Sequence, residues 1–131
     1  MIGELLGEVK GKLTGTRILA DGKMEGSSTG MGTILGKEAT SMDTGILTLM
    51  PNGAIMMEGN GVFMTTEGEM VMTKINGIGW FTGKALKSTA RGACYFMTTA
   101  PKLASLNNTV GVWERDSDEN GDWNLKVWAW K

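Results

Sequence analysis

Glu58 and Asn60 are polar residues in an otherwise apolar segment of the chain. In an extended strand they share one face with Met56 and Met64, because side chains two residues apart point to the same side. A carboxylate in apolar surroundings has a raised pKa and can act as a general acid or base near neutral pH. If this face lines an interior, Glu58 is the best candidate for a catalytic residue, and Asn60 and Tyr95 would orient a substrate. If the face meets water or another subunit, Glu58 is an ordinary solvated or paired carboxylate.

Cys94 is the single cysteine of the chain and therefore forms no disulfide within it. It shares a strand face with Gly92 and Phe96, so we expect it to point inward and to behave as a small hydrophobic side chain. A reactive thiol needs a nearby cation, which Lys87 or Arg91 would supply only if the fold brought one of them close. Structural packing is therefore the interpretation that we favour for Cys94.

The chain has eleven methionines, and most of them fall inside predicted strands. Methionine fills irregular gaps in a core and also lines adaptable apolar pockets. Core filling around small glycines is the simpler interpretation. The alternative is an apolar pocket that binds a ligand, for which the candidate lining residues are Met57, Phe63, Phe81, Cys94 and Phe96.

The absence of histidine is the strongest chemical restriction. It removes histidine-based catalytic triads, histidine-ligated zinc and iron sites, and the usual general base near neutral pH. The segment 116–122 matches the first half of a calcium-binding EF-hand loop, but Val127 stands where a bidentate glutamate belongs. We therefore interpret this segment as a polar hairpin tip, and we expect neither a metal nor a cofactor.

The charges are balanced, with 13 basic and 14 acidic residues and no run of like charge. This distribution gives no electrostatic footprint for nucleic acid or for an anionic membrane, so neutral partners or small molecules, such as a small apolar molecule, are favoured. No segment approaches the roughly 20 apolar residues that span a bilayer, and no apolar stretch follows a basic start, which favours a cytoplasmic location. The length suits one domain, over 1–131.

Residues alternate with period two along the start of the chain, which predicts a long strand with Leu5, Val9 and Leu13 on its dry face. Turn signals then recur at Asp21-Gly22, Asn52-Gly53, Glu67-Gly68 and Asn120-Gly121. They separate predicted strands near 3–19, 23–38, 43–50, 54–65, 69–86, 88–99, 109–116 and 123–131, with a short helical turn or loop over 100–108. Because short connections force antiparallel neighbours, we predict an all-β, roughly eight-stranded antiparallel up-and-down barrel.

Glycines recur on one face of several predicted strands, as in 22–36 and 77–83. They permit the close backbone approach that a narrow barrel needs; in the alternative interpretation they leave room for a ligand. Several strands are also apolar on the other face, where Met70, Met72 and Trp80 lie opposite the glycines of 69–86. A monomeric barrel has only one dry side, so we predict a homo-oligomer.

A set of glycine motifs over about residues 51–92 resembles the allene oxide cyclase and dirigent barrel superfamily. The matching residues are Gly53, Gly59, Gly61, Gly77, Gly79 and Phe81. The resemblance implies an eight-stranded antiparallel barrel, often a trimer, with an apolar cavity for lipid-like or phenolic substrates. The Ala-Arg-Gly that family members place directly after the phenylalanine stands several residues later here, at Ala90-Arg91-Gly92. No residue matches the family's catalytic positions, so none is transferred.

These observations leave three hypotheses for function. The leading one is a barrel that binds a small apolar ligand in its lumen by burial alone. The second is a cofactor-free isomerase or cyclase in which Glu58 supplies acid or base. The third is a purely structural oligomer whose barrel is filled by its own side chains. Under each hypothesis we expect a homo-oligomer, with a trimer favoured.

Overall fold

The computed structural model describes residues 1–131, and its eight strands form one closed barrel. The strands are β1 (Ile2–Ile18), β2 (Lys23–Ile34), β3 (Lys37–Leu49), β4 (Ala54–Thr65), β5 (Met70–Phe81), β6 (Ser88–Met97), β7 (Val110–Ser117) and β8 (Asp122–Trp130). Each strand pairs antiparallel with the next along the chain, and β8 closes the barrel by pairing antiparallel with β1. The prediction of an eight-stranded antiparallel up-and-down barrel is confirmed.

The turns between strands are mostly at the predicted glycines. Four of these glycines have positive φ angles between 71° and 89°: Gly22, Gly53, Gly68 and Gly121. The turn between β2 and β3 differs, because it lies at Leu35 and Gly36, whereas the sequence predicted an uninterrupted strand over 23–38. Leu35 has a φ of 49°, which side-chain-bearing residues rarely adopt, so its residue type gives no turn signal. β5 also ends at Phe81, earlier than the predicted strand over 69–86.

An irregularity in β1 interrupts its alternation. The pairing with β8 shifts register between Leu5 and Gly7, and as a result Leu6 is buried while Leu5 is 47% exposed. The sequence pattern placed Leu5 on the dry face, and that assignment is wrong. A bulge in one strand switches the side to which the neighbouring residues point, which a strict period of two does not anticipate.

A 3₁₀-helix, Pro101–Asn108, closes one end of the barrel between β6 and β7. Its Leu103 and Leu106 are fully buried in the core together with Ile34 and Val71. The predicted helical turn over 100–108 is thereby confirmed. No helix here has the length and apolar character needed to cross a membrane. Because the leucines plug this end, open space in the lumen lies at mid-height and toward the other end.

Two inward-facing tryptophans occupy space that glycines leave on neighbouring strands. A Cβ atom added to Gly77 would lie 2.6 Å from Cζ2 of Trp113, and one added to Gly92 would lie equally close to the same atom. Gly11 stands in the same relation to Trp123. These glycines therefore make room for tryptophan side chains, which fill much of the interior.

Candidate functional site

The lumen contains two small neighbouring cavities that share part of their walls. The first has a volume of about 50 Å³ and lies among mostly apolar side chains. The second, of about 100 Å³, is lined by Leu13 and Leu47, near the end opposite the helix. Asp43 lines both. Since one water needs about 10–15 Å³ and a cavity of about 150 Å³ can hold benzene, this space suits a few waters or one small molecule.

Asp43 and Arg115 line this lumen from opposite walls. Asp43 lies on β3 and Arg115 on β7, strands that face each other across the eight-membered ring. Their charges attract each other, but they form no ion pair within 4.0 Å, and no hydrogen bond joins them. The Arg115 guanidinium instead lies over the ring of Trp123, 4.5 Å from its centroid. This distance is within the range of a cation–π interaction.

Burial shifts the pKa of both charged groups. Loss of water around the carboxylate raises the pKa of Asp43 above its usual value, and the attraction of Arg115 offsets only part of this effect. Burial likewise lowers the pKa of Arg115, against the opposing influence of Asp43. An arginine stays charged at neutral pH even so, because its usual pKa is so high. The lumen therefore holds an acidic group and a basic group that make no direct contact with each other.

Three buried polar atoms in this region have no hydrogen-bond partner: Nε of Arg115, Nε1 of Trp123 and Oγ of Ser41. The other inward indole differs, since Nε1 of Trp113 donates to the carbonyl oxygen of Ala93 at 3.0 Å. Unpartnered buried polar groups are rare in folded proteins, because each costs about 1–3 kcal/mol. Ser41 and Trp123 line the first cavity and Arg115 the second, so unused hydrogen-bonding capacity surrounds the open space.

Four of the five lining residues that the sequence suggested lie at the lumen. Phe63, Cys94 and Phe96 line the first cavity and Met57 the second, whereas Phe81 is 49% exposed at the end of β5 and lines neither. A role in ligand binding stays a prediction for all of them. Burial raises the pKa of the Cys94 thiol to about 12. The thiol is therefore uncharged at neutral pH and a poor nucleophile.

The suggested catalytic residues Glu58, Asn60 and Tyr95 lie together, but on the outer wall of the barrel. They line a shallow depression of about 470 Å³ that is open to solvent. Asn60 pairs across the sheet with Lys74, which pairs with Tyr95. Glu58 is exposed, which agrees with its interpretation as an ordinary solvated carboxylate. The catalytic hypothesis requires the side chain of Glu58 to point into the interior, and it does not. A catalytic role for these three residues stays a prediction without that support.

Sequence reasoning missed Asp43 and Arg115, although a signal for each was present. Asp43 lies two residues from Ser41 and from Gly45, and Arg115 lies two residues from Trp113, so each shares a face with small or apolar inward residues. A charged residue at a position that alternation places on the dry face of a strand is unusual, because buried charges are costly unless they are paired. A charged residue on the predicted dry face is therefore the signal that could have found both residues.

The polar segment between β7 and β8 uses a carboxylate to shape its turn. Oδ1 of Asp118 accepts hydrogen bonds from the backbone nitrogens of Asn120 at 2.8 Å and Asp122 at 3.0 Å. Such contacts are typical of aspartate in turns. They agree with the interpretation of 116–122 as a hairpin tip, and no group of three or more metal-ligating side chains is found in the structure.

The fold and lumen define a closed, eight-stranded antiparallel β-barrel protein. No protein-family model matches the chain, and neither does any curated protein. A conserved protein of unknown function from Rhodopseudomonas palustris has a similar structure, with a TM-score of 0.83, 14% identity, and coverage of 98% of this chain and 97% of that one. A β-barrel-like protein from Acinetobacter baumannii AYE is also similar, with a TM-score of 0.83 and 14% sequence identity. The match covers 100% of this chain and 96% of that one.

A further similar structure is that of a protein with unknown function from Clostridium acetobutylicum ATCC 824, with a TM-score of 0.80 and 13% identity over 98% of each chain. At identities this low, the likeness shows the fold alone. The chain therefore has the barrel fold of these uncharacterised proteins, and its function has to be argued from its own lumen.

Proposed function

We propose that this chain is a small-molecule-binding β-barrel whose ligand lies in the lumen between Asp43 and Arg115. One observation carries the proposal: the half-buried carboxyl group of Asp43 and the half-buried guanidinium of Arg115 lack direct contact, and unpartnered polar atoms surround the space between them. A fold selected for stability alone would pair these groups or replace them with apolar side chains. A bound molecule with polar atoms would satisfy them.

The leading sequence hypothesis, an apolar ligand held by burial alone, is refined by this argument. The walls of the first cavity are mostly apolar, which supports an apolar part of the ligand. A wholly apolar molecule, however, would leave Arg115, Trp123 and Ser41 without partners and would also displace any water that solvates them. The proposed ligand therefore has both an apolar part and polar atoms.

The resemblance to allene oxide cyclase and dirigent barrels stays a proposal about ancestry, which the eight-stranded antiparallel topology supports. The lipid-like or phenolic substrates that the resemblance implies are larger than the cavities, which hold a molecule of benzene size at most. Isomerase or cyclase chemistry would need a carboxylate inside the lumen. Asp43, not Glu58, is the residue that meets this requirement.

Self-association through the outer wall is a further proposal. Six apolar residues form a continuous patch across β3 to β6, which we call the methionine patch: Met42, Val62, Met64, Met70, Met72 and Met97. Its methionines are between 37% and 69% exposed. Tyr95 and Val110, which are 50% and 38% exposed, extend this apolar surface at its edge. A second copy of this chain is the occupant that we propose.

Native mass spectrometry of the purified protein, under gentle and then denaturing conditions, tests the binding proposal. We expect a reproducible extra mass per chain that is lost on denaturation. The variant Arg115→Met should lose this mass, because it removes a donor from the lumen, while Glu8→Gln at an exposed position of β1 should retain it. Absence of any small molecule, together with no binding in a fragment screen, would favour the third hypothesis, a structural oligomer without a ligand.

A further inference from the structure

The size of the two cavities limits the molecules that the lumen accepts. Their volumes are about 50 Å³ and about 100 Å³, and they share Asp43 and Trp113 in their walls. A cavity of about 150 Å³ accommodates benzene. The tryptophan rings prevent a larger space, since they already occupy the room beside Gly11 and Gly77. Neither cavity alone reaches the volume that accommodates benzene, so benzene size is an upper limit that requires the two cavities to join.

The charges in the lumen limit the net charge of the ligand. Asp43 contributes a negative charge and Arg115 a positive one, so the pair is neutral overall when both are ionised. A carboxylate ligand would gain from Arg115 but would be repelled by Asp43, and an ammonium ligand would meet the reverse situation. Either ion would leave an uncompensated charge in a desolvated interior, which is costly. A neutral ligand avoids this cost.

The hydrogen-bonding groups define what the neutral ligand must carry. The guanidinium of Arg115 and the indole of Trp123 only donate hydrogen bonds, and an ionised Asp43 only accepts them. A ligand that satisfies both sides needs an acceptor for the donors and a donor for the carboxylate. Ser41 adds a hydroxyl that can do either. A small compound with one carbonyl and one hydroxyl group has this pair of functions.

Resting on the proposed function, we infer that the lumen takes a neutral hydroxy-carbonyl compound of benzene size or smaller. Its hydroxyl group donates to Asp43, and its carbonyl oxygen accepts from Arg115 and Trp123. Neither end alone is sufficient, because a ligand that engaged only one of the two charges would leave the other desolvated and unpaired.

Three probes with the same number of non-hydrogen atoms test this inference by NMR titration of the ¹⁵N-labelled protein. They are hydroxyacetone, which has both functions; 2-butanone, which has only the acceptor; and propanoate, which is anionic. We expect hydroxyacetone to shift the Trp123 indole resonance and to bind about ten-fold or more tightly than 2-butanone, because hydrogen bonds to charged groups exceed that factor. Propanoate should bind no better than 2-butanone.

The variant Asp43→Asn should weaken the binding of hydroxyacetone about ten-fold and should not weaken that of 2-butanone, while Glu8→Gln at an exposed position of β1 should change neither. Should the Asp43 variant fold poorly, the ranking of the three probes on the unmodified protein decides the inference without it. Tighter binding of propanoate or of 2-butanone would overturn the ligand class but leave lumen binding intact. The ligand class is also overturned, and lumen binding stands, if native mass spectrometry reveals a bound molecule but none of the three probes binds. If mass spectrometry shows no bound molecule and no probe binds, both proposals are overturned.

Discussion

Trp113 and Gly77 share one space in the barrel. A Cβ atom at position 77 would lie 2.6 Å from Cζ2 of the Trp113 indole and 2.5 Å from the carbonyl oxygen of Arg91. Real Cβ atoms do not approach other atoms so closely, so glycine is required here by packing and not by an unusual φ angle. The glycine-rich face of β5 is thus complementary to a tryptophan two strands away, on β7.

Gly77→Ala is expected to destabilise the barrel by about 1–3 kcal/mol, because overpacking displaces either the indole or the backbone of β6. Gly45→Ala is the matched control. It also replaces an inward strand glycine, but the nearest atom to its Cβ would be the carbonyl oxygen of Glu58 at 3.4 Å, an ordinary contact. Chemical denaturation of both variants measures the difference, and equal effects would show that tryptophan packing is not the reason for Gly77.

Asp43→Asn is expected to stabilise the protein at neutral pH. The raised pKa of Asp43 means that the folded state favours the protonated carboxyl group. This protonated group stabilises the folded protein below pH 3.8, and the stabilisation is lost as the pH rises through the folded-state pKa. Asparagine does not titrate, so the variant does not lose stability in this way. Its stability relative to the unmodified protein should therefore increase with pH above about 4 in urea denaturation series. A pH-independent difference would contradict the raised pKa of Asp43 in the folded state.

Much of the fold follows from sequence pattern, and the failures have physical reasons. Period-two alternation and glycine turns predicted the correct number of strands and most of the turns, because both reflect local backbone geometry. The predicted break over 39–42 was wrong, since these residues lie inside β3. The turn at Leu35 was missed since tertiary packing holds a leucine at positive φ, where Gly36 was the only local cue. The bulge near Leu5 depends on its pairing with β8, which is distant in sequence.

The site was harder to predict than the fold. Alternation reveals that Glu58 and Asp43 each share a face with particular neighbours, but not which face of each strand becomes the lumen. It also cannot reveal that β3 and β7 stand opposite each other, which brings Asp43 and Arg115 to one space. The apolar neighbours of Glu58 left both an interior and an outer face open for this residue, and several of them belong to or adjoin the methionine patch on the outside.

Glu69→Gln is expected to show the opposite pH dependence to Asp43→Asn. Nζ of Lys37 donates to Oε1 of Glu69 at 2.7 Å, and Oγ1 of Thr65 donates to the same atom at 3.2 Å. Chiefly the bond from Lys37 lowers the pKa of Glu69, so its stabilisation is present above pH 4.5 and is lost as the pH falls through the folded-state pKa. The variant should therefore be less stable at neutral pH, and the difference should shrink in acid. A difference that persisted at the lowest pH would assign the effect to packing.

Met72→Lys is expected to weaken self-association, because Met72 lies at the centre of the methionine patch. It pairs with Val62 on one side and Met97 on the other, and it is 49% exposed in the single chain. A lysine there would be desolvated in an interface between copies, at a cost of several kcal/mol, whereas in a monomer it stays in water. Light scattering coupled to size-exclusion chromatography measures the effect. The unmodified protein should elute as a closed oligomer and the variant as a smaller species.

Asn124→Lys is the matched control for this substitution, since it adds the same charge to an exposed position on β8, away from the patch. It should leave the oligomer intact. If both variants elute as smaller species, net charge rather than the patch controls association. If the unmodified protein is a monomer, the proposal of self-association is overturned. If Met72→Lys alone dissociates the assembly while its lumen still retains the bound mass, then ligand binding and association use different walls of the barrel. Glycine-rich strands with tryptophans would then form the binding interior, and methionines the subunit contact.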